Sequence, residues 1–544
     1  MSTDPMDHPA EHDATGLTRA ELLRRAAGGA VLLSAGGLIA ACGSSGSSGS
    51  ASSATSSSAA TGAAKSGGHL RIGATGGGAK DSIDAHSATA DTDIVRISAL
   101  FEPLAQPSAD FKTIEMVLAE SIEPVNGNAG AWDIRLRQGV EFHNGKTLSA
   151  DDVIYSLKRI TDPKNPLTGA ASIGYINRNG MKKLDAQTVR VPLTIKNSAF
   201  LADVGQYFNG IVPVGYDPKA PISTAAWKFQ SFSPGQQSVF VKNPNYWQKG
   251  KPLADQLTII DFTDDTARVN ALLSGQIDLA DTVPTEQITQ IQGNSSLTLL
   301  NNPSGVWLPI TMRVDQAPFN DVRVRQAFRL MVNRPQMVAQ VLSGQGSVAN
   351  DLYGRFDPAY DSSLPQRQQD LEQAKSLLKQ AGQEGMKTTL VTAPVYGGIP
   401  EEAQAFAAMA SGAGVTVNLN KTDSGTFYGD NYLKWTFAQD FWGPRRYLSQ
   451  VAQGSLPNSP FNETHWADPE FLKLIAQARA ELDDTKRTEL IHEAQKIEYD
   501  RGGYIIAFFP NFIAAATSKL RGVPAGLQAT FLLGPALKDI GFNT

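Results

Sequence analysis

Cys42 is the only cysteine in the 544-residue chain, so the fold cannot contain an intramolecular disulfide bond. It follows a basic segment that ends in Arg24 and Arg25 and an uncharged stretch that runs from Ala26 to Ala41. A basic segment, a short apolar segment and small residues at the cleavage point are typical of an export signal, which takes no part in the fold. The uncharged stretch is shorter than the ~20 residues that a membrane-spanning helix needs. We therefore predict that residues 1–41 are a signal peptide and that the protein is extracytoplasmic.

The sequence Ile39-Ala40-Ala41-Cys42 resembles the lipobox of bacterial lipoproteins, in which the cysteine is lipidated and becomes the N-terminus. The alternative is a lone buried cysteine that packs as a small hydrophobe, and the position of Cys42 argues against it. Acyl chains on Cys42 would anchor the protein to the outer face of the cell membrane. Residues 42–67 are rich in Ser, Ala and Gly and predict a flexible tether. Twin-arginine and general secretion both stay open, because the aromatic or leucine pair that usually follows twin arginines is absent.

The rest of the chain has an ordinary soluble composition, since 41% of the whole sequence is hydrophobic and 19% is charged. About 475 residues follow the tether, which is more than one hydrophobic core accommodates, so we expect two or three lobes. The net charge is −5, and no basic block or interleaved aromatic run indicates nucleic acid as a partner.

Strand and helix patterns alternate along the chain and predict an α/β protein. Residues 132–137 alternate polar and apolar side chains, as a strand does. Residues 151–160 place apolar side chains on one helical face, and residues 321–342 predict two helices that meet at a proline. Residues 371–382 predict a helix that ends in a glycine, and residues 471–499 form one longer amphipathic stretch.

Five segments, in order, resemble the family 5 solute-binding proteins of ABC importers, the group that includes dipeptide and oligopeptide binders. The segments are Ile134–Val153, Asn243–Trp247, Leu272–Asp278, Pro318–Ala327 and Ala374–Gly382. The first is similar to the family's sequence almost residue for residue. We interpret its His143 and the pair Asp151-Asp152 as structural, in a turn and at a helix start, rather than as metal ligands or acid/base groups.

The resemblance implies the two-lobed α/β fold of periplasmic binding proteins, class II, peptide-binding cluster, with an extra inserted domain. A first lobe is then built from residues 68–103, 212–303 and 515–544. Residues 104–211 form the inserted domain, and residues 304–514 form the second lobe.

The same resemblance implies a lipid-anchored substrate-binding subunit that captures peptides in a cleft between the lobes and delivers them to a permease. We expect the lobes to close about hinges near Asn302 and Phe512. The permease and the ATPase are separate chains, because the sequence holds neither a nucleotide motif nor a membrane span, and a monomer is expected. Two alternatives stay open. One is the same importer role for a polyamine, opine, sugar or metal complex, and the other is a surface receptor for a signalling peptide.

Asp440 falls on the aspartate that holds the ligand's α-ammonium group in peptide-binding relatives of the family. A carboxylate removed from water suits a cation, because their attraction is stronger at low dielectric, and Trp442 could cover that cation with its ring face. The alternative is an ion pair of Asp440 with Arg445 or Arg446 inside the protein. Either arginine binding a ligand carboxylate is a further possibility. The predicted ligand-binding residues are Asp440, Phe441, Trp442, Arg445 and Trp307.

One departure from the family lies at residues 223–227. The family's Gly-Thr-Gly-Pro-aromatic turn is replaced there by Ser-Thr-Ala-Ala-Trp, so this lobe-linking strand is expected to enter differently.

The sequence argues against an enzyme. The glycine-rich residues 73–80 lack the Gly-Lys-Ser/Thr of a phosphate loop, and no Gly-x-Ser-x-Gly motif is present. The histidines do not have metal-ligand spacing. We therefore predict no catalytic residue, no metal site and no cofactor.

Overall fold

The computed structural model describes residues 65–88 and 90–543. Cys42, the predicted signal peptide and nearly all of the predicted tether lie outside these residues. Among the described residues, three sheets of eight, five and four strands account for most of the β-structure, and two short two-stranded sheets complete it. The pairs of the short sheets are Ala105–Pro107 with Ile114–Met116, and Leu520–Arg521 with Gly541–Phe542.

The eight-stranded sheet has a parallel centre and antiparallel edges. Strand His69–Thr75 lies between Gln256–Phe262 and Leu279–Ala280 and runs parallel to both. Across the sheet the order is Leu297–Pro303, Phe508–Thr517, Leu279–Ala280, His69–Thr75, Gln256–Phe262, Gln237–Lys242 and Trp227–Ser233, with Gly346–Val348 paired to Phe508–Thr517. Because side chains alternate across a strand, Leu70, Ile72 and Ala74 share one face, and all three are fully buried in the same core.

The five-stranded sheet carries the candidate site. Its order is Thr416–Lys421, Lys387–Thr392, Phe437–Gln439, Pro309–Met312 and Tyr504–Ile506. The central strand Phe437–Gln439 is parallel to Lys387–Thr392 and antiparallel to Pro309–Met312.

The four-stranded sheet is antiparallel throughout and has its own core. Its order is Ala119–Val125, Asn128–Leu136, Thr188–Pro192 and Lys182–Lys183.

Helices cover these sheets and connect them. The described α-helices are Asp91–Leu100, Ala150–Ile160, Ala170–Ile173, Phe200–Val204, Asp265–Leu273, Ile288–Gln292, Val322–Leu330, Arg334–Val341, Leu371–Gln380, Ile399–Ser411, Ser424–Phe427, Tyr447–Gly454, Pro469–Ala480, Asp484–Arg501 and Thr530–Ala536. Two 3₁₀ turns, Thr285–Gln287 and Leu537–Asp539, complete the helical structure of the described residues. None of the described helices is long and apolar enough to cross a membrane.

Most of the elements predicted from periodicity are confirmed. The strand predicted at 132–137 lies within Asn128–Leu136, and the helices predicted at 151–160 and 371–382 are Ala150–Ile160 and Leu371–Gln380. The two predicted helices within 321–342 are Val322–Leu330 and Arg334–Val341.

Two helices occupy the amphipathic stretch predicted at 471–499. The first helix ends at Ala480, and Glu481 then adopts an extended conformation. Asp483 starts the second helix by accepting a hydrogen bond from the backbone N of Lys486, which satisfies a free amide of the first turn.

The structural interpretation of His143 and of the aspartate pair is confirmed. His143 Nε2 donates to Ala225 O at 2.9 Å, and burial lowers the pKa of His143 to about 4. Asp152 completes a capping box with Ser149 at the start of helix Ala150–Ile160. In the divergent segment 223–227, Trp227 is buried and begins its strand, and Ala225 O is the acceptor for His143.

Candidate ligand-binding site

Asp440 directly follows the central strand Phe437–Gln439 of the five-stranded sheet and begins a loop, residues 440–446, that we call the ligand loop. Its side chain is only 1% exposed. Oδ1 accepts hydrogen bonds from the Tyr428 hydroxyl at 2.5 Å and from the Phe441 backbone N at 2.8 Å, and the Tyr432 hydroxyl donates to Oδ2 at 3.1 Å. These donors fix the orientation of the carboxylate.

Glu463 is a second buried carboxylate in the same cluster. The Tyr432 hydroxyl lies 3.2 Å from Glu463 Oε1, and Trp442 Nε1 donates to Oε2 at 3.4 Å. One hydroxyl carries one proton, so Tyr432 can satisfy Asp440 or Glu463 but not both at once. Two carboxylates that share one hydroxyl favour a cation beside them, since an opposite charge stabilises the ionised form of each.

Four aromatic rings stack beside these carboxylates and form what we call the aromatic column, which consists of Trp442, Trp307, Tyr353 and Tyr447. Trp307 lies 5.7 Å from Trp442 with nearly parallel planes, and Tyr353 packs on Trp307 at 5.0 Å. Tyr447 stacks on Tyr353 at 5.3 Å. The backbones of Trp307 and Trp442 also exchange two hydrogen bonds, at 3.1 and 3.0 Å. The structure therefore brings together Trp307 and Trp442, two predicted residues 135 positions apart in the sequence.

The remaining residues of the ligand loop lie around this column. The Phe441 ring stacks on Tyr396 at 5.3 Å. The Arg445 guanidinium lies 5.6 Å from the centre of the Trp442 ring, and its Nη1 contacts Gly443 O at 3.4 Å. Arg446 points elsewhere, because its Nη1 lies 3.6 Å from Asp357 Oδ1.

A third carboxylate, Asp91, lies on a helix that packs against the eight-stranded sheet. Asp91 begins helix Asp91–Leu100, and burial, with help from the nearby Asp281 carboxylate, raises the pKa of Asp91 to about 7. Burial and then the Asp91 charge raise the pKa of Tyr396, whose ring packs on Phe441 of the ligand loop. Asp91 is therefore close enough to Tyr396 to act on it electrostatically.

Tyr428, Tyr432 and Glu463 were missed in the sequence analysis. The two tyrosines are four residues apart just before Asp440, a spacing that places side chains on one side of a helical turn. That signal is weak, and Glu463 lies in an irregular segment with no pattern at all.

The chain matches a known family over most of its length. Residues 113–460 match the model of the bacterial extracellular solute-binding proteins, family 5 (middle). The chain belongs to this family. It is therefore an extracellular solute-binding protein, and the family's role is to bind solutes rather than to catalyse reactions.

Several curated members of this family are similar in sequence. The chain is 27% identical over 460 residues to di/tripeptide-binding protein 2 of Pseudomonas aeruginosa (strain UCBPP-PA14), covering 78% of this chain and 86% of that protein. It is 26% identical over 465 residues to the dipeptide-binding protein of Escherichia coli (strain K12), covering 77% and 86%. Heme-binding protein A of Haemophilus influenzae is 25% identical over 461 residues, covering 77% and 83%.

Solved structures confirm the fold predicted from the sequence. The binding protein AgaA of A. tumefaciens R10, solved with agropinic acid, has a TM-score of 0.75 at 22% identity and covers 87% of this chain and 99% of its own. DppA of Helicobacter pylori, solved with the peptide STSA, has a TM-score of 0.75 at 21% identity and covers 88% and 99%. The fold is that of the class II periplasmic binding proteins, peptide-binding cluster.

Proposed function

We propose that this protein is the lipid-anchored substrate-binding subunit of an ABC importer and that it captures peptides by their α-ammonium group. The observation that carries this proposal is the buried Asp440 carboxylate, oriented by two tyrosine hydroxyls and set beside Glu463. An ammonium group that enters this cluster leaves water, and a fixed pair of carboxylates compensates that loss.

The names of two relatives, a di/tripeptide-binding and a dipeptide-binding protein, support the choice of peptides. In the proposed complex the first residue of the peptide lies against Phe441 and Trp442. Arg445 and Trp307 frame the same place, and Arg445 supplies a positive charge for a peptide carboxylate.

The proposed mechanism is closure of two lobes about a hinge. The lobes are 68–103 with 212–303 and 515–544 on one side, carrying the inserted domain 104–211, and 304–514 on the other. The pairing of strands Leu297–Pro303 and Phe508–Thr517 supports the hinge, because Asn302 lies directly opposite Phe512 in their register. A closed, monomeric, liganded protein would then dock on a separate permease and its ATPase.

A different solute is the main alternative, since relatives include a heme-binding protein and a structure with agropinic acid. Within the described residues, no three His, Cys, Asp or Glu side chains are grouped to hold a metal ion.

Native mass spectrometry of the protein purified from its own cells tests the ligand class directly. We expect a co-purified peptide, and calorimetry with that peptide should show binding that N-acetylation of the peptide abolishes. A co-purified non-peptide solute, or equal affinity for the acetylated peptide, would contradict the peptide proposal.

Membrane fractionation tests the anchor. Cys42 is the only possible acyl acceptor of this kind, so Cys42→Ser should release the protein into the medium or leave it as unprocessed precursor. Full membrane retention at the mature size would exclude lipidation.

A further inference from the structure

The ligand loop continues into helix Tyr447–Gly454, and this helix packs on the segment 104–211, which we call the inserted segment. The Ser449 hydroxyl donates to Asp203 Oδ1 at 2.5 Å, and both side chains are only 2% exposed. The bond joins residues 246 positions apart. Ser449, nine positions after Asp440, is thereby bonded to the inserted segment, which contains the four-stranded sheet.

Asp203 is held equally firmly from its own side. The Tyr175 hydroxyl donates to Oδ2 at 2.6 Å and Asn197 Nδ2 donates to the same oxygen at 2.8 Å. Arg479, from helix Pro469–Ala480, lies over the Tyr175 ring at 5.6 Å. This contact places a positive charge from outside the inserted segment near the Asp203 carboxylate. Burial raises the pKa of Asp203, although these donors and Arg479 oppose that shift.

Three further hydrogen bonds join the inserted segment to residues in the range 446–479. At the end of helix Pro469–Ala480, Arg479 O accepts from Ser198 N at 2.7 Å and Ala478 O accepts from the Ser198 hydroxyl at 3.1 Å. In the ligand loop itself, Arg446 Nη2 donates to Lys112 O at 2.6 Å. Every one of these groups would be returned to water if the inserted segment moved away.

We propose that Asp203 is a positioning residue for ligand binding, which holds helix Tyr447–Gly454, and through it the ligand loop, against the inserted segment in the closed protein. Asp203 does not touch the ligand. It stabilises the closed form in which Asp440 is placed for the ammonium group. This inference rests on the proposed function, since it takes lobe closure as the binding step.

The inference separates two kinds of variant. A residue that contacts the ligand discriminates between ligands, whereas a residue that stabilises closure changes all affinities by one common factor. Ser449→Ala removes the cross-region bond and leaves the Tyr175 and Asn197 contacts of Asp203 intact. It should weaken peptide binding by roughly 10- to 150-fold, as expected for a hydrogen bond to a charged group.

The experiment uses the mature protein and three variants, Ser449→Ala, Ser449→Thr and Asp133→Asn. Ser449→Thr keeps a hydroxyl and should behave as the wild type. Asp133→Asn is the matched control, because Asp133 pairs with Arg190 at 2.7 Å within the inserted segment and makes no cross-region contact of this type. Melting curves verify that all four proteins are folded.

Hydrogen–deuterium exchange and small-angle scattering of the ligand-free proteins form the first measurement. Ser449→Ala should exchange faster in residues 447–454 and 197–204 together and should have a larger radius of gyration, while both controls match the wild type. Unchanged exchange and radius in Ser449→Ala would overturn the proposal.

Calorimetry with the dipeptide Ala-Ala and the tetrapeptide Ser-Thr-Ser-Ala forms the second measurement. Both should lose affinity by the same factor in Ser449→Ala. Unchanged affinity, or loss for one peptide alone, would overturn the positioning role even if exchange increases. If the wild type binds neither peptide, the peptide proposal fails, and the exchange and scattering results still decide whether Asp203 holds the closed form.

Discussion

Glu102 and Asp440 are both enclosed carboxylates that accept hydrogen bonds from tyrosine hydroxyls, but their surroundings differ. Glu102 accepts from Tyr246 at 2.6 Å, from Thr224 at 2.7 Å and from Trp247 at 3.2 Å, and it lines a cavity of about 130 Å³. Burial raises the pKa of Glu102, while these donors oppose the shift. Asp440 instead lies beside a second carboxylate and a stack of aromatic rings.

The difference lies in where the donors come from. Tyr246 and Trp247 belong to the family-like segment 243–247, and Thr224 belongs to the lobe-linking segment 223–227. Glu102 therefore ties scaffold segments to one another. Two donors to Asp440, Tyr428 and Tyr432, lie outside the five segments whose sequence most resembles the family, as expected where members of one fold bind different solutes. We therefore propose that similar chemistry supports folding at Glu102 and ligand recognition at Asp440.

The largest expected effect tests the proposed role of Asp440 in ligand recognition. Asp440→Asn keeps the shape of the side chain and removes its charge, so a bound ammonium group would be desolvated with one counter-charge fewer. Peptide affinity measured by calorimetry should fall by about 30- to several-thousand-fold, which corresponds to a loss of roughly 2–5 kcal/mol. The melting temperature should fall about as much as in the Glu102→Gln variant described below, because one buried hydroxyl loses its acceptor in each variant. If folded Asp440→Asn and the wild type bind the peptide with equal affinity, Asp440 has a structural role like that of Glu102, and the proposed difference between the two carboxylates is wrong.

A smaller effect concerns Glu498, a scaffold carboxylate that touches the aromatic column through a 2.9 Å bond from the Tyr447 hydroxyl. Burial raises the pKa of Glu498 to about 7. A raised pKa means that the folded protein favours the neutral acid. Its contribution to stability is therefore present below pH ~4.5 and is lost as the pH rises toward 7.

Urea denaturation of the wild type and Glu498→Gln between pH 4.5 and 7 measures this contribution. The wild type should lose more free energy of unfolding over this range than the variant, by on the order of 3 kcal/mol. Parallel pH profiles would show that Glu498 does not titrate in this range. Peptide affinity should change less than in Asp440→Asn, because Glu498 lies behind the column rather than at the ligand loop.

The scaffold could be predicted well from the sequence, because its signals are local. The capping box of helix Ala150–Ile160 and the proline-marked break before Arg334–Val341 are both visible over a few residues. The position of Asp440 followed from the resemblance to the family. Tyr432 and Glu463 could not be predicted, since they meet only when two irregular segments 31 residues apart fold against the same strand end. No periodic pattern encodes such a contact.

The smallest expected effect tests the structural role of Glu102. Glu102→Gln replaces one carboxylate oxygen by an amide group that cannot accept from Tyr246 or Thr224, so one buried hydroxyl loses its partner. The free energy of unfolding should fall by about 1–3 kcal/mol in urea denaturation. Glu120→Gln is the control, because Glu120 pairs with Arg135 at the surface with 56% of its side chain exposed, and its loss should stay within about 0.5 kcal/mol. Peptide affinity should be unchanged in both variants. If Glu102→Gln instead weakens peptide binding at unchanged stability, then Glu102 also belongs to the recognition chemistry, and the division between the two carboxylates fails.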